Sequence, residues 1–66
     1  MCLATVYKTV DENDTEEVVL EYVSKIYVEG ANVRLIDVMG AETVIEGKIS
    51  YADLAGSVVK ITCPAA

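Results

Sequence analysis

At 66 residues the chain has room for one domain, residues 1–66, and a chain this short buries only about 60% of the surface that its unfolded form exposes, so a metal, a disulfide or a partner subunit is expected to help it. Eleven acidic against five basic residues give a formal charge of −6, which argues against a phosphate-backbone ligand and suits a cation. Histidine is absent, which removes the commonest metal ligand and the commonest acid–base group, so an enzyme is not expected.

The apolar share is 53%, with four Tyr and no Phe or Trp. The core is therefore expected to be aliphatic, with tyrosines at its margin where their hydroxyls stay wet. Two cysteines, Cys2 and Cys63, are too few for a secreted disulfide framework. The first ten residues lack a basic stretch followed by a continuous apolar one, so no signal peptide is expected. No apolar run approaches the ~20 residues of a membrane helix. These features together lead us to expect a cytoplasmic protein with both thiols free.

Period-2 alternation runs through most of the chain. A first strand is expected over Cys2 to Val10, with Leu3, Thr5, Tyr7 and Thr9 on one face and Cys2, Ala4, Val6 and Val10 on the other. Asp11-Glu12-Asn13-Asp14 reads as an acidic turn, because Asn and Asp bond their own backbone. Glu16 to Val23 reads as a second strand, although its apolar spacing also fits a short amphipathic helix; Val, Tyr and Ile enrichment favours the strand. Ser24 and Lys25 are expected to bend the chain before a short third segment, Ile26 to Val28, which Glu29-Gly30-Ala31-Asn32 ends. Val33 to Val38 is a fourth strand, and Met39-Gly40-Ala41 its turn. Thr43 to Tyr51 reads as a fifth, with Gly47 as a bulge or tight bend in its middle. Asp53 to Gly56 reads as a turn or single helical turn. Ser57 to Cys63 is the last strand, stopped by Pro64.

About five or six short strands separated by tight turns predict an all-β fold. An open sheet this small would expose an apolar face and two edges, so the expected form is a small SH3-like or Sm-like barrel of antiparallel strands.

Cys2 is the residue with chemical potential. If Met1 is removed, as is expected before a small second residue, the amine and thiol of Cys2 form a five-membered N,S chelate. If Met1 stays, its amine, the Cys2 amide nitrogen and the Cys2 thiolate close fused rings around a square-planar ion. Thiol and α-amine both deprotonate readily under a metal, and either donor set favours Ni(II) or Cu(II) over Mg or Ca. One terminus supplies too few donors for four-coordination, and a two-fold axis doubles the set. Against this, Cys is often a plain buried hydrophobe. Cys63 continues the alternation of Val59 and Ile61, which points to a core or barrel-edge role. Its pairing with Cys2 is open.

Along the chain, Met1-Cys2-Leu3-Ala4-Thr5-Val6-Tyr7, Val28-Glu29-Gly30-Ala31-Asn32-Val33-Arg34-Leu35, Gly40, Val44-Ile45-Glu46-Gly47-Lys48-Ile49 and Tyr51-Ala52-Asp53-Leu54 resemble the CooT family of small nickel-binding proteins, a family also described as predicted RNA-binding proteins. The resemblance implies a homodimer of small β-barrels that holds one Ni(II) per dimer with Cys2 as the essential ligand. It implies a metallochaperone-like role in nickel supply to carbon monoxide dehydrogenase or its maturation proteins. Carried onto this chain, Cys2 is the functional position, with the Met1 amine and the Leu3 backbone as neighbouring donors. The acidic stretch Asp11 to Glu17 is not part of the family pattern.

The remaining residues point less sharply. The spacing of Asp11, Glu12, Asp14, Glu16 and Glu17 does not match a calcium loop. Asp37, Glu46 and Asp53 are scattered acids without a partner base. Arg34 and Lys48 with Tyr27 and Tyr51 would make a small RNA-facing surface on an Sm-like module, which the acidic balance disfavours. A structural or interaction domain with an inert Cys2 is the third reading.

Overall fold

The computed structural model describes residues 3–10 and 13–64, residues 13 and 14 by backbone alone. Six strands appear among them: β1 Ala4–Val10, β2 Asn13–Glu29, β3 Asn32–Asp37, β4 Glu42–Glu46, β5 Lys48–Asp53 and β6 Val58–Cys63. They form one sheet in the order β4-β3-β2-β1-β6-β5. Among the described residues no helix is long and apolar enough to cross a membrane.

The fold is all-β, as the alternation predicts, and the helical alternative for Glu16 to Val23 is excluded because that stretch pairs with β1. Three expectations change in detail. The second and third segments are one strand: β2 continues through Ser24 and Lys25, with a register shift between Val23 and Lys25. The expected bend survives as a bulge, and Tyr22 just before it has φ 59, a conformation that strains a bulky side chain. The fifth strand is two, with Gly47 as the corner between β4 and β5. Finally, the pairing is not antiparallel throughout: β1 and β6 run parallel, Thr5 opposite Val58 and Val10 opposite Cys63. The long path from β2 to β5 between them supplies the crossover that a parallel pair needs.

The bend divides β2 between two partners. Its first half pairs with β1 and its second half with β3, and Val23 at the junction lies opposite both Ala4 and Asp37. The sheet thereby folds over on itself. Val6, Val33, Leu35 and Ile61 are sealed from solvent, and Val23 and Val59 nearly so. These six form one aliphatic cluster. Three of the four tyrosines, Tyr22, Tyr27 and Tyr51, are exposed at the margin.

Gly47 draws the far edge in. Its N–H donates to the Ala31 carbonyl at 3.0 Å, and a Cβ there would stand 2.7 Å from the Thr62 oxygen and 2.9 Å from Ile61 Cγ2. Only glycine lets the β4–β5 corner press onto β6, so the curled sheet closes toward a barrel.

Candidate functional site

Met1 and Cys2, on which the chelate expectation rests, lie outside the described residues. Leu3 is the metal-site residue that the structure places, and it is half-buried. It lies where β1 begins, in a crevice of about 80 Å³ with Ala4, Asp53, Leu54, Ser57, Val58 and Val59. The Thr5 N–H donates to the Ser57 carbonyl at 2.9 Å, which anchors the start of β1 against the β5–β6 turn.

That turn is built by Asp53. Its carboxylate accepts the Gly56 N–H at 2.9 Å, a side-chain-to-backbone bond that closes the loop in place of a sheet bond. Its other oxygen, Oδ2, stands 2.6 Å from where a Cβ on Gly56 would lie, so a side chain there would push the carboxylate aside. The fold thus sets a carboxylate beside Leu3. Sequence reasoning left Asp53 among scattered acids; the signal that could have placed it is the Asp-x-x-Gly spacing of Asp53 and Gly56.

The same end of the sheet is apolar at its rim. Thr5 is level with Val58, which is level with Asp53, and on the other side Ala4 is level with Val23 and Asp37. The two turns that follow Asp37 and Asp53 therefore flank the start of β1. They expose Met39 at 88% and Leu54 at 80%. These are two separate exposed side chains on two turns, and single apolar residues of this kind are common on protein surfaces.

Cys63 takes the core-edge position expected of it. It is free, half-buried and packed against the aliphatic cluster. The parallel register sets it opposite Val10, at the other end of β1 from Ala4; its pairing with Cys2 concerns a residue outside the described range. Cys63 also borders an apolar groove of about 330 Å³ with Gly47, Lys48, Thr62 and Pro64, which offers no second soft donor. Among the described residues no group of three or more Cys, Asp and Glu side chains could hold a metal ion.

Three of the five basic residues, Lys8, Arg34 and Lys60, meet acids. Arg34 bonds Glu29 at 3.0 Å and Glu42 at 3.5 Å while stacking 4.4 Å above the Tyr27 ring. The Glu29 hydrogen bond, opposed by desolvation, holds its guanidinium above the ordinary arginine value. Lys60 meets Glu16 at 2.8 Å and lies 5.2 Å from the Tyr51 ring; the hydrogen bond to Glu16 raises its pKa. Lys8 pairs with Glu17 at 3.7 Å. Each cation so paired has less charge left for a phosphate backbone. The expected grouping of Arg34 and Lys48 with Tyr27 and Tyr51 does not form, because Tyr27 stacks with Arg34 on β2 and β3 whereas Tyr51 stacks with Lys60 on β5 and β6.

Comparison with known proteins supplies the relationship. A family model described as CO dehydrogenase accessory protein CooT matches residues 1–62. Among solved structures the chain is similar to a crystal structure of a candidate CooT from Carboxydothermus hydrogenoformans, at 26% identity, covering 94% of this chain and 97% of that one, with a TM-score of 0.81. No curated protein matches the chain.

Proposed function

This chain belongs to the family of the CO dehydrogenase accessory protein CooT, and on that premise we propose that it is a cytoplasmic nickel carrier whose Cys2 thiolate grips the ion as cargo for carbon monoxide dehydrogenase. The observation that carries the reading is the placement of Leu3. The residue after Cys2 is seated at the rim of the barrel, in a crevice with Asp53, between two turns that expose Met39 and Leu54.

The donor chemistry fits. With no histidine in the chain and no cluster of three acidic or thiol ligands among the described residues, soft donors come from the chain's beginning. The Cys2 thiolate and the Met1 amine or neighbouring amide nitrogens form a set suited to Ni(II), and Leu3 contributes through its backbone. The two-fold symmetry of a homodimer completes four-coordination with the same atoms from a second copy. An acidic protein lowers the local potential for a divalent cation.

Titration of the purified full chain with Ni(II) tests this. Thiolate-to-metal absorption is expected to saturate at about half an equivalent per chain, as one ion between two copies requires, and to vanish in Cys2→Ser. Saturation unaffected by Cys2→Ser rules the reading out.

A further inference from the structure

Asp53 carries a charge that the described residues do not answer. It is half-buried in the crevice that it shares with Leu3, where Ala4, Leu54, Val58 and Val59 make the surroundings mostly apolar. Among the described residues it forms no ion pair: Lys8 is held by Glu17, Arg34 by Glu29 and Glu42, and Lys60 by Glu16. Lys48 begins β5 at the opposite end from Asp53, and Lys25 stands on β2, across β1 from β6 and β5. The Gly56 N–H donates to one carboxylate oxygen, Oδ1, at 2.9 Å. That is the one hydrogen bond of the carboxylate among the described residues, so Oδ2 is left to accept from elsewhere. A carboxylate drawn partly out of water is costly unless something compensates it.

The missing cation is close in the chain. Register sets Asp53 level with Val58 and Val58 level with Thr5, two strand spacings or about 10 Å from backbone to backbone. The α-amine precedes Leu3 by no more than two residues, about 7 Å of chain at full stretch.

We propose that Asp53 is a positioning residue of the nickel site: its Oδ2 accepts an N–H of the chain's α-amine and so turns that nitrogen's lone pair toward the ion. This rests on the carrier reading above and deepens it, because it adds a residue of the β5–β6 turn to the donors at the chain's beginning. A carboxylate that accepts from a metal ligand fixes the orientation of that ligand and strengthens it as a donor. Oδ1, committed to Gly56, keeps the group in place while Oδ2 acts. The same charge offsets that of a divalent ion beside the crevice. Direct ligation is the poorer use of the group, since a carboxylate oxygen is a hard donor and the thiolate and nitrogen set already suits Ni(II).

Calorimetric titration of the full chain with nickel chloride, read together with the thiolate-to-metal absorption band, tests the proposal. Asp53→Asn keeps an oxygen for the Gly56 N–H but turns an amide donor toward the amine. It is expected to bind Ni(II) about 10–100-fold more weakly, with the stoichiometry, band position and urea midpoint of the parent. Adding Ser57→Asp to that variant returns a carboxylate to the crevice, at a residue whose φ of 58 Asp tolerates better than most. The double variant is expected to recover most of the affinity, which a purely structural loss at the turn does not allow. Parent-like affinity in Asp53→Asn overturns the role of Asp53 and leaves the carrier reading standing. Weaker binding that Ser57→Asp fails to recover does the same, as does a shifted band, which marks a ligand of the ion itself. A parent that takes up no nickel overturns both.

Discussion

Gly47 is the position at which one side chain decides closure of the sheet. Its neighbours are backbone of β6 and a buried Ile61 methyl, neither of which can swing aside as the tip of a flexible side chain can. Gly47→Ala is therefore expected to destabilise by about 1–3 kcal/mol through overpacking, measured as a lower urea midpoint with unchanged slope. A change within error would mean that the corner does not press on β6. Cys63, by contrast, sits half-buried beside the cluster, and its role as a small hydrophobe was legible from its place after Val59 and Ile61. Asp53 was not legible as a neighbour of Leu3, because the two are fifty positions apart and only the β1–β6 register brings them together.

At the level of the element, β2 is where local pattern and tertiary context part. Ser24 and Lys25 looked like a break, yet the sheet absorbs them as a bulge and keeps the strand intact from Asn13 to Glu29. A bulge keeps the ladder going while bending it, which a sequence pattern cannot tell from a turn. A separate irregularity, between Leu20 and Val23 where β2 pairs with β1, holds Tyr22, whose φ of 59 is unfavourable by about 1–2 kcal/mol for a residue with a Cβ. Tyr22 is 61% exposed, so little burial is lost with its ring. Tyr22→Gly is expected to leave stability unchanged or raise it by up to about 1 kcal/mol, whereas Tyr22→Val loses about 1 kcal/mol or more, since a β-branched residue fits this conformation worst. Chemical denaturation of the two variants checks this, and equal losses in both would refute it.

For the whole molecule, a core of six aliphatic side chains is thin, and stability is expected to be linked to the cargo. A ligand that binds only the folded state at a hundred times its dissociation constant adds about 2.7 kcal/mol. In a chain of this size that corresponds to roughly 10 °C or more in Tm. Nickel is accordingly expected to raise the melting temperature of the parent chain and not of Cys2→Ser. The rise should also grow with protein concentration, because the proposed site shares one ion between two copies. A shift that is independent of concentration would place the metal within a single chain.

The order of residues alone determined the secondary-structure class and the aliphatic character of the core, since alternation is a local property, and it nominated Cys2 by donor chemistry. It also carried the family resemblance, through motifs spread over most of the chain. Tertiary structure decided the parallel pairing of β1 with β6, the single bent strand, the closure at Gly47 and the meeting of Leu3 with Asp53. Those depend on which strands become neighbours, and burial of Val6, Val33, Leu35 and Ile61 in one cluster selects that arrangement through contacts between residues far apart in the chain.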